Sequence, residues 1–140
     1  MTWFTFALAT AFFWGTAPIL AKLGLARVEP LTALSIRTFG VAVALAAINL
    51  LGGTLPKIRA VEPRAWAFLL AEGAMASLLG HYAYFYALKF GKASSVVPVT
   101  AAYPLVAALV GWMVLHEHLS PGKIAGGLLV ALGVILIKQF

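Results

Sequence analysis

The chain has 140 residues, of which 63% are hydrophobic and only 10% charged, and its mean hydropathy is +1.00. Apolar runs of about 20 residues recur along it, the length that crosses about 30 Å of hydrocarbon. The polar stretches between these runs are too short to bury a core of their own, which excludes a separate soluble domain. We therefore predict an integral membrane protein with a single domain over residues 1–140.

Charge and cysteine content narrow the function further. The formal charge of +6 comes from basic residues scattered singly over short linkers, so lipid headgroups are their expected partner and nucleic acid is not. The chain has no cysteine, which excludes disulfides, thiolate metal sites and cysteine nucleophiles.

Five transmembrane helices are predicted in chain order, because the apolar runs are continuous and lack the alternating polarity of a β-barrel. Glycine- and proline-containing breakers separate them. Ser120 reads as an N-cap, followed by a proline at the first helical position. The fold class is thus an all-α polytopic membrane protein with spans at Trp3 to Leu23, Thr32 to Leu51, Arg64 to Leu88, Ser95 to Leu115 and Pro121 to Ile137.

An odd number of spans bears on assembly. Many carriers are built from two inverted repeats, and a five-helix unit supplies such a pair only if two copies lie in opposite orientations. Basic residues are divided almost evenly between the two sides of the membrane, so the positive-inside rule barely selects an orientation. We expect a homodimer, with the parallel and the antiparallel (dual-topology) arrangement both open.

Candidate pathway residues begin in the first two spans. Pro18 and Lys22 lie on one helical stripe, bordered by Trp14. Lys22 is close to the helix end, so an ammonium that reaches the headgroups is favoured over substrate contact. Arg37 lies about two turns into the second span. Two orientations of its side chain are equally expected: one reaches the lipid headgroups, and the other points inward toward a carboxylate. Glu72 is the natural partner for the inward orientation.

Glu72 is the strongest single candidate, because a carboxylate within an apolar span is costly and usually functional. A titratable group there suits proton coupling, although a later helix start would leave it at the interface. His81 is nine residues further on, roughly on the opposite face of an α-helix. A hydrogen-bonded packing role is favoured for His81 over a proton relay.

The fourth span carries Pro98 and Pro104, which predict helix kinks, together with Thr100 and Tyr103 on a polar stripe. A kinked helix of this kind suits a gate, although prolines also kink purely structural helices. The stretch His116-Glu117-His118 lacks metal-ligand spacing and reads as a solvated loop. No metal site, cofactor or catalytic constellation is predicted, and the chain does not read as an enzyme.

An ordered series of short motifs resembles one family, the EamA module of the drug/metabolite transporter superfamily, in its short five-helix bacterial and archaeal form. The resemblance covers nearly the whole chain. One departure is His116-Glu117-His118, where the family tends to have Gly-Glu-Arg or Gly-Glu-Lys. The matching residues are Phe13-Trp14-Gly15, Pro18, Ala21-Lys22-Leu23-Gly24-Leu25, Glu29-Pro30, Ile36-Arg37-Thr38, Ala87-Leu88-Lys89-Phe90-Gly91-Lys92-Ala93-Ser94, Val97-Pro98, Tyr103-Pro104, Glu117, Leu119, Gly126 and Gly133-Val134.

The larger members of that family resemble two fused modules of inverted topology that export small metabolites or drugs across the inner membrane. The resemblance implies a half-carrier module. We expect a secondary carrier for a small organic molecule that works as a dimer by alternating access in the cell inner membrane. The alternative is a membrane accessory or scaffold subunit that transports nothing by itself.

Overall fold

The computed structural model describes residues 3–139; Met1, Thr2 and Phe140 lie outside the described residues. All regular structure in the described range is helical, which confirms the all-α prediction. The elements are α1 (Trp3–Leu25), α2 (Pro30–Leu51), α3 (Leu55–Arg59), α4 (Pro63–Gly73), a π-helix (Ala74–Gly80), α5 (His81–Phe90), α6 (Ala93–Thr100), α7 (Tyr103–Leu115) and α8 (Pro121–Gln139).

Within the described residues, four stretches of helix are long and apolar enough by themselves to cross a membrane, against the five that were predicted. They are Trp3–Leu25, Pro30–Leu51, Ala93–Leu115 and Pro121–Gln139. The difference falls on the predicted third span, Arg64 to Leu88. This segment is helical throughout, but its middle is the seven-residue π-helix, so neither α4 nor α5 is long enough alone. We call residues 63–90 the interrupted helix.

Local sequence explains where several helices begin. Prolines open α2 and α4, where the missing N–H has no intrahelical partner to lose. Ser120 Oγ accepts a hydrogen bond from the Lys123 N–H at 3.4 Å, so the predicted N-cap of the last helix is confirmed. Pro104 lies in the first turn of α7, and the chain makes a turn at 101–102 before it. The predicted kink at Pro104 is therefore a break between two helices, whereas Pro98 does lie inside α6.

The chain groups into two compact units, one formed by residues up to Ile19 and from Gly91 onward, the other by Leu20–Phe90. In the first, α8 packs against α6, and Gly127 approaches the Leu105 side chain. In the second, α2 packs against α5. The prediction of one domain over the whole chain stays a prediction.

Buried apolar side chains are few, and they concentrate in the Leu20–Phe90 unit. Leu25, Leu34, Phe85 and Leu88 form this small core among the described residues. The most apolar windows of the four long helices are only 0–6% buried inside the chain. Such outward apolar surface requires lipid or another protein to cover it, as expected for a membrane protein.

Candidate functional site

The most ordered polar site in the Leu20–Phe90 unit joins the C-terminal ends of α1 and α5. Lys22 Nζ donates to the Leu88 carbonyl oxygen at 2.5 Å and to that of Lys89 at 3.4 Å. In return, Lys89 Nζ donates to the carbonyl oxygens of Leu25 at 2.7 Å and Val28 at 3.0 Å. Each lysine thus binds the end of the other's helix. We call this site the lysine junction.

The chemistry of helix ends explains the lysine junction. The last four carbonyl groups of an α-helix have no intrahelical partner, and the macrodipole makes that end negative. An ammonium satisfies both demands at once. The junction closes over Leu25 and Leu88, which are 1% and 0% exposed, so these carbonyls have little water available as an alternative partner. Lys22, for which headgroup contact was favoured, is half-buried and directed to a neighbouring helix.

Lys89 was not among the predicted site residues, yet it contributes as much to the junction as Lys22 does. The signal for it was present in the sequence, because a basic residue in the last turn of a helix is well placed to bind terminal carbonyls. In the sequence, Lys89 belongs to a motif that resembles the EamA module and is one of the basic residues that bear on membrane orientation, and neither observation indicates a helix-end contact.

Glu72 lies at the end of α4, one residue before Gly73 and the π-helix, and its side chain is exposed on the single chain. Arg37 lies in the first half of α2 and is exposed as well. Within residues 3–139 neither side chain makes a hydrogen bond or an ion pair. The structure therefore does not bring Arg37 and Glu72 together within one chain.

His81 follows the π-helix directly and is bound to it. Its Nδ1 lies 2.8 Å from the Ala76 carbonyl oxygen, which also receives the His81 backbone N–H. A carbonyl oxygen only accepts, so Nδ1 carries the proton and Nε2 is left as an acceptor in the neutral ring. The ring also packs edge-on against Tyr84 and Phe85, at centroid distances of 6.4 and 6.3 Å.

The π-helix changes the angular relation between Glu72 and His81. In an α-helix nine residues turn through about two and a half revolutions, which places the two on opposite faces. The i→i+5 bonds of a π-helix widen the turn, so each residue rotates less about the axis. His81 consequently lies nearer to the face of Glu72 than α-helical spacing predicts.

In the other unit, the structure brings Trp14 and Tyr103 together. Their ring centroids are 6.3 Å apart in an edge-on arrangement, and both side chains are exposed. Thr100, at the end of α6, donates its hydroxyl to the Val96 carbonyl oxygen at 2.8 Å. Pro18 is the buried residue of this part of α1. Tyr103 directly follows the helix break at 101–102, so the contact with Trp14 lies beside that break.

A second feature of this unit is the loop after α7. His116 has φ of +53°, a left-handed conformation, and the Glu117 N–H bonds to the Gly111 carbonyl oxygen at 3.2 Å. An open cavity of about 570 Å³ lies beside it, lined by Leu109, Trp112, His116, Glu117, His118, Leu119 and Ile124. In the described part of the chain, no three His, Cys, Asp or Glu side chains come together as a metal site needs.

Comparison with known proteins gives matches along the whole chain. The model of the EamA-like transporter family matches residues 1–139. An uncharacterized transporter in the cobO 3′ region of Sinorhizobium sp. is 32% identical over 139 residues, which are 99% of this chain and 98% of that protein.

A longer relative is matched over part of its length. The uncharacterized inner membrane transporter YhbE of Escherichia coli K12 is 28% identical over 131 residues, 93% of this chain but only 40% of that protein. The protein of the same name from Shigella flexneri matches to the same extent. No solved structure matches the chain.

Proposed function

Because the chain belongs to the EamA-like transporter family, we propose that it is a secondary carrier that moves a small organic metabolite or drug by alternating access, as a homodimer. Family membership shows a multi-pass membrane transporter. The substrate class, the mechanism and the dimer are the proposal. The inner membrane as its location is also proposed, from the name of the Escherichia coli relative.

The observation that carries the proposal is the irregular backbone beside the polar candidates. A membrane helix is interrupted only where other protein groups or a water-filled cavity satisfy the freed backbone, and carriers place their binding sites at such interruptions. Here Glu72 precedes the π-helix and His81 follows it. Thr100 and Tyr103 flank the break between α6 and α7.

We assign roles on that basis. Glu72 is the coupling carboxylate, since it is titratable and has no partner within the described chain. His81 offers Nε2 as a proton acceptor next to the π-helix. Trp14 and Tyr103 offer an aromatic surface of the kind that suits an organic substrate. Lys22 is assigned a positioning role, because its ammonium binds the end of α5.

Two copies are proposed because the YhbE match spans only 40% of that longer transporter, so one copy of this chain corresponds to less than half of it. A second copy would provide the counterpart of the remainder. This is the arrangement expected when a carrier needs two related halves around a central site.

Flux measured with the purified chain alone tests the proposal. Proteoliposomes with an imposed pH gradient would be screened with a panel of amino acids and organic cations, among them tetraphenylphosphonium. Saturable uptake or efflux above that of protein-free liposomes is expected. An accessory subunit would give no flux with any probe, and this result would favour the scaffold alternative.

A further inference from the structure

We infer that two copies of the chain associate in opposite membrane orientations, with Arg37 of each copy paired to Glu72 of the other. This inference rests on the proposed function, since it names the partner and the arrangement of that carrier. It starts from two opposite charges on apolar helices, both exposed and both unpaired within residues 3–139. Such charges are costly in hydrocarbon unless another group pairs them.

The lysine junction fixes a reference surface for depth. It ties the end of α1 to the end of α5, and α2 begins at Pro30, two residues after the Val28 carbonyl that Lys89 binds. The start of α2 and the end of the interrupted helix therefore lie at the same side of the membrane, with α4, the π-helix and α5 crossing it together as one continuous segment. Distances along each helix can be counted from there.

Arg37 and Glu72 lie at different depths within one copy. Arg37 is seven residues after Pro30, which is about 10 Å of helix. Glu72 is 18 residues before Phe90, and this distance is about 25 Å because the π-helix rises less per residue. Two copies in the same orientation would keep these charges about 15 Å apart in depth, which is beyond ion-pair distance.

Inversion of one copy removes this difference. The 22 residues of α2 measure about 33 Å, close to the thickness of the hydrocarbon core. Glu72 of an inverted copy then lies about 8 Å below the membrane surface at which α2 of the first copy begins. Arg37 of the first copy lies about 10 Å below that same surface. The two-fold symmetry makes this contact twice. The near-even distribution of basic residues allows either orientation of insertion.

Charge reversal provides the test. In the Arg37→Glu variant and in the Glu72→Arg variant, an inverted pair has like charges at both contacts. A mixed pair of the two variants has opposite charges at both contacts. We expect each variant alone to associate roughly a hundredfold more weakly than the wild type, and the coexpressed pair to recover.

The readout is assembly in lipid nanodiscs, scored by copurification of two differently tagged copies. Lys92→Glu and Glu117→Arg are the matched control reversals, because both residues are exposed and lie outside the Leu20–Phe90 unit. They should assemble as the wild type does. Wild-type association of either Arg37→Glu or Glu72→Arg alone, or no recovery in the mixture, would overturn the inference.

A second measurement keeps the native charges and uses the absence of cysteine from the chain. Ala33 lies one turn from Arg37, and Phe68 lies one turn from Glu72. In an inverted pair these two positions lie toward the same membrane surface, and they are replaced by cysteine in the variants Ala33→Cys and Phe68→Cys. A short thiol-to-thiol reagent should join these two variants in a mixed sample, whereas parallel copies hold them more than about 20 Å apart. No cross-link between them would overturn the antiparallel contact. Both assays score assembly, so an absence of flux would refute the proposed function separately.

Discussion

Lys22 binds two carbonyls at the end of α5, the helix that carries Lys89, and Lys89 in return binds the last carbonyl of α1 and the Val28 carbonyl in the loop that follows. The four hydrogen bonds, from 2.5 to 3.4 Å, join α1, the start of the following loop and α5. Two like charges are held close together here, and the partial negative charge of two helix ends offsets their repulsion. These reciprocal hydrogen bonds explain why the largest fully buried side chains of the described chain lie at the lysine junction. They are Leu25, Leu88 and Pro30.

We expect Lys89→Met to destabilise the protein by about 1.5–3 kcal/mol, because it removes a charged donor from carbonyls that lie next to a closed apolar core. Methionine keeps the apolar stem and removes only the ammonium. Lys22→Met should have an effect of similar size. Thermal unfolding of the purified protein in detergent would measure both.

Lys92→Met is the matched control, since Lys92 is exposed and outside the junction. Its melting temperature should equal that of the wild type. The double variant Lys22→Met/Lys89→Met should lose less than the sum of the single losses, because each single variant leaves one ammonium near an opened junction. Unchanged melting in both single variants would show that the carbonyls find water instead.

Glu72→Gln should abolish substrate accumulation driven by a pH gradient while the protein stays folded. The amide keeps the shape of the side chain and an oxygen that accepts a hydrogen bond, and it removes the titratable proton. Flux in proteoliposomes at two values of external pH would measure this, with Glu117→Gln as the matched control carboxylate. Wild-type accumulation and pH dependence in Glu72→Gln would refute the coupling role.

The sequence predicted the helical class and most helix positions, because long apolar runs and proline–glycine breakers are local signals. The N-cap at Ser120 was readable for the same reason. The interruption of the third predicted span by a π-helix could not be read from the sequence. The π-helix is formed by i→i+5 bonds, and its Ala76 carbonyl also accepts a hydrogen bond from the His81 ring; no hydropathy pattern reports either contact.

The polar residues show the same difference between what the sequence predicts and what only the structure reveals. The sequence selects Lys22, Arg37 and Glu72 as unusual in apolar helices, but it does not show what they contact. Lys22 meets helix carbonyls 66 and 67 residues away in the chain, a relation that only the folded structure supplies. Arg37 and Glu72 were natural partners by charge, yet they do not meet within the described part of one chain.

Gly80→Ala should destabilise the protein by about 1 kcal/mol or more, because the added Cβ would lie 3.1 Å from the Met75 carbonyl oxygen. Backbone atoms on a helix cannot move aside as a side-chain end can. The strain would also favour a return of the π-helix to α-geometry. Thermal unfolding would report the loss, and transport by the variant should fall as well.

Gly73→Ala is the matched control at the other end of the π-helix, where a Cβ meets nothing within 4 Å. Alanine has the higher helix propensity, so this variant should be neutral or more stable by up to about 1 kcal/mol. Equal effects of the two substitutions would show that the π-helix places no steric demand on Gly80.

His116→Gly should stabilise the protein by about 1 kcal/mol. His116 closes α7 in the left-handed conformation, with φ of +53°, which costs an L-residue free energy and costs glycine little. Glycine is also the residue that the resembled family tends to have at this position, and the geometry supplies the physical reason. His118→Gly is the matched control: His118 has no positive φ, so glycine there brings only extra chain entropy and should be neutral or destabilising. Melting temperatures in detergent would compare them, and a loss of stability in His116→Gly would mean that contacts of the imidazole outweigh the backbone strain.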